Sequence, residues 1–516
     1  MHQLTMFLHL VPLSPLCQSG VSLMSSLAVV PIFVNAGAAL LPAIVAGLTS
    51  LLAALASPRA LWTLCRRRPG SVLATLAAIA LLIASIRWAT AAKTPDPAKT
   101  DWAAVAREIL RQQAATQTAS QHILRQLWHH DLDGGIPLST PRIVAGKVIA
   151  PVTIMDLASK YGVIWALDLE TGKPLWKAAE ISPGQDFKAF FSSPAVTADN
   201  RRIIIGEGLH EDADCRLHCI DLDTGKTLWS IATPLHIESS PAILTRQGRE
   251  TAVVGVGAIE GPDRQATGDG PWHAGYVLAV DIATGQELWR HKITDPESSP
   301  AVDPSGNIYI GSGVNGSAVV ALRPDADDAL TAAGTPRILW RRTTDYPATG
   351  NVTLSGNLVL IGAGNGDYVF SDPHPAGQVL ALDKIPGNVH WKTPLPDSVL
   401  GSLTVIADKV LAGCRNGEIF ALALSDGHIL WHAKVSATSA AVLGGVSTKS
   451  SHVFALASDG TLAVIDLDTG AVTERLLLAD EGKTSQNLSL AIPVVTQNKL
   501  IVGTETGGIR CFEIAP

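Results

Sequence analysis

Two short phrases set ionisable side chains directly before a repeated Ser-Ser-Pro signature: His236-Ile237-Glu238 ahead of Ser239-Ser240-Pro241, and Asp295-Pro296-Glu297 ahead of Ser298-Ser299-Pro300. Asp345-Tyr346 holds the corresponding place one interval later. Carboxylates gathered from such phrases would hold a cation, an amine or a basic peptide, and left apart they are solvated surface charges. Spacing alone leaves both readings open. Trp272-His273, inside the long insertion from Gly255 to Gly275, either covers a ligand or packs against Tyr276.

Other groups offer less. The six cysteines show no Cys-x-x-Cys metal spacing, and Cys219 and Cys511 stand where the repeat has a small buried residue. Gly311-Ser312-Gly313-Val314-Asn315-Gly316 matches a dinucleotide fingerprint, but strands flank it on both sides and it is expected to be a turn. In His129-His130-Asp131 strand alternation points the two imidazoles to opposite faces. No Ser/His/Asp arrangement can be inferred from spacing.

The elements that position these groups follow from a second pattern. Trp128, Trp176, Trp229, Trp289, Trp340, Trp391 and Trp431 recur at intervals of roughly 40–60 residues. Most close a phrase such as Ala166-Leu167-Asp168…Thr171-Gly172…Trp176. Alternating apolar residues around Asp-x-x-Thr-Gly predict two strands about a tight turn. A further pair of strands precedes them, from Ser192-Ser193-Pro194-Ala195-Val196 into Ile203-Ile204-Ile205-Gly206. Four strands per repeat without an intervening helix predict a β-propeller blade, and the repeat aspartates are expected to be turn formers.

Trp128 has a final strand but no phrase before it, whereas the chain's last segment, Leu500 to Ile514, has the first three strands and no Trp strand. Joining the fragments predicts an all-β fold: an eight-bladed propeller of four-stranded antiparallel blades over 124–516, shut by an N-terminal strand in the last blade. Sharing a blade in this way leaves no open sheet edge. Glu474 stands where the seventh repeat should have its tryptophan.

A net charge of −7 argues against a nucleic-acid partner. Residues 1–92 are expected to form a membrane region. Its apolar stretches, Leu27 to Ala56 and Val72 to Ala89, are each long enough to span a bilayer. Arg59, Arg66, Arg67 and Arg68 between them place that loop in the cytoplasm and carry the propeller to the periplasmic side of the inner membrane. A cleaved signal peptide is the competing reading. Residues 93–123 are expected to be a stalk, with one amphipathic helix bearing Trp102, Val105, Ala106 and Ile109.

The Ala-Leu-Asp-x-x-Thr-Gly-x-x-x-Trp phrase and the Ser-Ser-Pro openings resemble the tryptophan-docking repeat of the pyrroloquinoline-quinone (PQQ) propeller superfamily. That resemblance implies one of two functional branches. Quinoprotein dehydrogenases oxidise alcohols or sugars with PQQ and calcium, and BamB-like lipoproteins bind partners without catalysis. Ile361-Gly362-Ala363-Gly364-Asn365-Gly366-Asp367 is similar to the dehydrogenase segment that brings an Asn to calcium, which implies Asn365 as ligand; from their own phrases Glu238 and Glu297 are further candidate metal carboxylates, and Trp272-His273 a candidate cover over a cofactor. The adjacent cysteine pair over the quinone and the catalytic Asp context after Trp391 are missing. The expectation is therefore a BamB-like scaffold with no cofactor and no catalytic residue. Its partners are the membrane and a protein or ligand held on the outer rim or at the propeller mouth, where His236, Asp295, Asp345, Tyr346 and Asp367 line the opening.

Overall fold

In seven of the eight blades a small residue on the third strand faces the tryptophan of the fourth. The pairs are Ala166 with Trp176, Cys219 with Trp229, Ala279 with Trp289, Ala321 with Trp340, Ala381 with Trp391, Ala421 with Trp431 and Cys511 with Trp128. One extra residue bulges out of the ladder just before each of these tryptophans, and the bulged Leu175, Leu228 and Leu288 are exposed. The bulge turns the indole towards the next blade, which is what an inserted residue does to a strand. Burial pushes the Cys219 and Cys511 thiols up to about 12, so both serve as small apolar packing groups.

The computed structural model describes residues 122–155, 159–210, 212–258, 272–324, 337–438, 440–480, 483 and 486–515. The expected membrane spans, the stalk helix and much of the insertion before Trp272 lie outside the described residues. Among the described residues, no helix is long and apolar enough to cross a membrane.

Eight four-stranded antiparallel sheets follow one another along the chain. Blade 1 runs from Arg142–Val144 to Pro174–Ala178, blade 2 from Ala195–Val196 to Thr227–Leu235, and blade 3 from Ala242–Arg246 to Glu287–Lys292. Blade 4 runs from Ala301–Val302 to Ile338–Thr343, blade 5 from Thr353–Ser355 to Val389–Leu395, and blade 6 from Thr404–Ile406 to Ile429–Lys434. Blade 7 runs from Ser447–Lys449 to Val472–Leu477. Blade 8 takes Val494–Thr496, Lys499–Thr504 and Gly508–Ile514 from the end of the chain and Leu124–His130 as its outer strand. Leu124 faces Ile514 and His130 faces Ile509, so the ring closes through shared backbone hydrogen bonds.

The seams between blades explain the repeat. In the turn after the third strand, Asp168 Oδ1 accepts from Thr171 N and Thr171 Oγ1 at 2.8 and 2.7 Å, and Asp221 and Asp466 repeat the arrangement. The turn glycine carries a positive φ, +69° at Gly172, and a Cβ there would lie 2.5 Å from the Trp128 ring. Only glycine satisfies both conditions. The indole of one blade lies flat on the next blade's turn and donates from Nε1 to the carbonyl just after the Asp position. Trp128, Trp176, Trp229, Trp340, Trp391 and Trp431 reach Leu169, Leu222, Ile282, Lys384, Leu424 and Leu467 at 2.7–3.1 Å.

Two seams depart from this rule. Trp289 meets a blade without the Asp-x-x-Thr-Gly turn, and the Arg337 guanidinium lies over its ring at 4.1 Å. Between blades 7 and 8 no turn exists, because the outer strand there comes from the other end of the chain. Glu474 takes the indole's place, and its Oε2 accepts from Ile123 N at 3.0 Å and Leu124 N at 3.2 Å. The missing tryptophan of the seventh repeat is thus a cap for the closing strand.

Candidate functional site

The Ser-Ser-Pro openings line the axis. The second serine or its counterpart in one blade accepts from the equivalent backbone amide of the preceding blade. Thr140 N donates to Ser193 Oγ, Ser193 N to Ser240 Oγ, Ser240 N to Ser299 Oγ and Ser299 N to Asn351 Oδ1, at 2.9–3.0 Å. Asn351 Nδ2 continues to Ser402 Oγ at 3.0 Å, and Ile492 N donates to Thr140 Oγ1 at 3.1 Å. Blade 7 presents Gly444-Gly445 at this level, so no side chain carries the chain of bonds across it. The ring frames a cavity of about 60 Å³, bordered above by Phe191, Tyr368, Glu238 and Glu297.

Glu238 and Glu297 belong to a cluster displaced from the axis towards blades 2, 3 and 4. His236 and Glu238 lie on the connection into blade 3, and Asp295 and Glu297 on the connection into blade 4. The member that the sequence pattern did not mark is His210, on the loop between the second and third strands of blade 2. Its Nδ1 lies 3.2 Å from Glu238 Oε1 and 3.2 Å from Glu297 Oε1. His236 Nε2 is 3.5 Å from the same Glu297 oxygen, and the two imidazole centroids are 5.6 Å apart. Atoms of His210, His236 and Glu297 all fall within 4.8 Å of one another.

The surroundings hold these groups in place. A Cβ at Gly257 would sit 2.4 Å from His236 Nε2, so the fully buried imidazole fills the space a larger residue would occupy. The His210 loop is pinned at its start by Glu207, whose Oε2 accepts from Lys188 N at 2.9 Å and pairs with buried His218 Nε2 at 3.0 Å. His218 Nδ1 in turn meets Ser230 Oγ at 2.7 Å, a Ser-His-Glu relay unmarked by spacing, which here braces the loop from inside the blade. At its far end Leu209 N donates to Asp212 Oδ2, and Asp212 pairs with Lys160.

Electrostatics differ sharply between the carboxyls. Burial pushes the Glu238 carboxyl up, but the adjacent His210 and His236 more than offset it and hold the group below the ordinary carboxylate range. Asp295 goes the other way: burial first, and the Glu297 charge second, push it up to about 8. Its backbone is in the left-handed region, φ +53°, and its Oδ1 is buried without a hydrogen-bond partner. The glycine run from Gly311 to Gly316 is a turn, as expected, and it wraps this carboxyl. Gly313 N donates to Asp295 O at 2.7 Å, Asn315 N reaches Oδ2 at 3.3 Å, and a Cβ at Gly313 would lie 2.8 Å from Oδ2.

Above the cluster opens a recess of about 430 Å³. Leu209, Phe191, Tyr368, Val369 and Phe370 wall it, with His210 and Glu238 at its polar end. Tyr368 stands between recess and axial cavity, packed edge-on to Phe191 at 4.9 Å, with its hydroxyl donating to Leu400 O at 3.0 Å. Val369 and Phe370 are 63 and 72 % exposed, which is unusual for residues so apolar.

The other predicted residues fall elsewhere. Trp272 packs edge-on against Tyr276 at 5.3 Å, under the Arg290 guanidinium, so the packing alternative describes it. Asp345 is exposed and pairs with Lys392, and Tyr346 packs into the seam between blades 4 and 5. Asp367 lines the recess, where its Oδ1 accepts from Val369 N and Phe370 N at 2.6 Å and shapes the exposed tip. Asn365 closes its own loop: Oδ1 accepts from Ala376 N at 2.8 Å and Nδ2 donates to His374 O at 2.9 Å. His129 is exposed, while His130 packs against Trp165.

A calcium–quinone site does not fit these residues. Calcium takes a shell of six to eight oxygens, whereas the convergent donors among the described residues include two imidazoles, and the Asn365 amide is engaged within its loop.

Residues 273–372 and 329–516 match the family described as outer membrane protein assembly factor BamB. Over that part, just under half of its length, the chain resembles this PQQ-like propeller repeat family. Proteins similar to this chain fall in both branches. The quinohemoprotein alcohol dehydrogenase ADH-IIG of Pseudomonas putida is 28% identical over 273 residues, 50% of this chain and 35% of that protein. The outer membrane protein assembly factor BamB of Nitrosomonas eutropha is 26% identical over 247 residues, 46% of this chain and 55% of that protein. The chain thus spans between about a third and about half of the length of these curated relatives. The crystal structure of BamB from Moraxella catarrhalis superposes on 76% of this chain and 98% of its own, with a TM-score of 0.52 at 15% identity, a likeness of fold.

Proposed function

We propose that this PQQ-like propeller is a membrane-anchored scaffold on the periplasmic side, non-catalytic, which receives a protein segment at one mouth of the ring. The observation that carries this reading is the recess: an aromatic wall left open to solvent at Val369 and Phe370, ending on the Glu238 carboxylate with His210 beside it. Such a surface suits an apolar side chain followed by a basic group, burying the first and pairing the second. The apolar stretches in residues 1–92 supply the anchor, and the BamB-like relatives supply the precedent for an envelope role. The dehydrogenase branch has comparable sequence support, but the engaged Asn365 amide and the imidazole-bearing cluster weigh against calcium and quinone chemistry.

The test is photo-crosslinking in membranes from a position beside Phe370, with Val369→Ser/Phe370→Ser as comparison. A reproducible protein adduct that the double substitution abolishes is the expected result. Recovering no adduct, or one indifferent to the substitution, overturns the reading. Stoichiometric PQQ uptake in the presence of calcium, with dye reduction by an alcohol or sugar, would replace it with the dehydrogenase reading.

A further inference from the structure

We infer that His210, His236 and Glu297 bind a divalent transition ion of the zinc class, with an open coordination position facing the recess. An ion bound tetrahedrally at about 2.0–2.1 Å keeps its ligand atoms about 3.3 Å apart. The His210–Glu297 and His236–Glu297 separations are 3.2 and 3.5 Å. The third edge, His210 to His236, lies within 4.8 Å and is the one that an ion would draw in.

Protein-only bonding explains the arrangement less well. An imidazole nitrogen has one in-plane direction for a hydrogen bond, yet His210 Nδ1 stands equally close to carboxylates from two different connections. Two buried carboxylates beside each other call for a compensating positive centre, which a bound ion supplies when the imidazoles are neutral. The donor types then choose the ion: two imidazoles with one carboxylate suit zinc, cobalt, nickel or copper, whereas calcium and magnesium prefer oxygen. Rigidity supports the choice, because the Gly257 gap fixes the His236 ring and the Glu207–His218 pair fixes the loop that carries His210. Glu238 falls outside the convergent set but lines the recess, where it can hold a water or an incoming donor on the ion.

The site is tested on the full chain, purified in detergent without an affinity tag. Cobalt(II) should bind at one equivalent with the visible bands of a four-coordinate site, zinc should displace it, and calcium in 100-fold excess should not. His210→Asn, at a side chain 36% exposed, should leave the thermal unfolding of the apo chain unchanged. It should weaken cobalt by more than the roughly 10–100-fold lost when an outer partner of a metal ligand is removed. His236→Asn and Glu297→Gln should do the same, and Asn365→Ala should not. No cobalt band, wild-type affinity in His210→Asn, or displacement by calcium overturns the site. Metal uptake is measured without any partner, so its failure leaves the docking reading standing, and failed crosslinking leaves the metal site standing.

Discussion

The rim and the mouth of this propeller are built on opposite principles. At the rim the same contact recurs from blade to blade: an indole on a turn glycine, one Nε1 hydrogen bond and a small residue behind the ring. At the mouth the blades contribute unequally. Blade 2 brings His210, the next two connections bring His236 with Glu238 and Asp295 with Glu297, and blade 5 brings an aromatic tip. Repetition serves closure and stability, because six of the eight seams are sealed in the same way around the ring. Recognition needs asymmetry, and it resides where the repeat is broken.

The largest expected effect lies at the rim. Trp391→Ala removes a buried indole, its bond to Leu424 O and the packing against Gly427, and should cost about 3–5 kcal/mol in chemical unfolding. A loss below about 1 kcal/mol would mean that the seams are not the source of the ring's stability. The closing seam gives the next effect. Glu474→Ala strips the acceptor from the Ile123 and Leu124 amides, and should cost about 1–3 kcal/mol. Glu474→Trp, which restores the residue of the repeat, should be no better, since no turn glycine faces it. If Glu474→Trp stabilises the protein, the seventh seam works like the others and the distinction between them fails.

This contrast also explains what could be read before any coordinates. Blade number and closure were legible because Trp128 and the trpless final repeat complete each other, and repetition gives every element several independent witnesses. Four of the five residues of the cluster stood out in the sequence as well: His236, Glu238, Asp295 and Glu297 precede Ser-Ser-Pro openings. His210 escaped because Gly208-Leu209-His210 is a short loop, and attention to loop length passes over a ligand in a short one. Its position four residues after Ile203-Ile204-Ile205-Gly206, in the loop at the end of that strand, was the available signal. Glu474 was visible as an exception, but its role depends on an outer strand about 350 residues away in sequence, where local pattern carries no information.

A loop residue at the mouth should matter less to stability than either seam. Asn365→Ala deletes two bonds within one exposed loop, and should cost about 1 kcal/mol. Differential scanning fluorimetry decides this, and a cost matching Trp391→Ala would erase the division between rim and mouth.

The smallest effect concerns the turns themselves. Thr171, Thr224 and Thr469 hydroxyls, with the backbone amides beside them, hold the Asp168, Asp221 and Asp466 carboxyls below the usual range. A carboxyl depressed in the folded state contributes stability above its unfolded value, near 3.8, and that contribution disappears as pH falls through the folded value. The triple change Thr171→Val, Thr224→Val and Thr469→Val should therefore lower the melting temperature slightly at pH 7, and the gap to wild type should close as the pH is taken below about 4. Melting curves at pH 7 and pH 3 provide the comparison. A gap that stays constant would assign the threonines a packing role, and the turns would then seal the seams through glycine and indole alone.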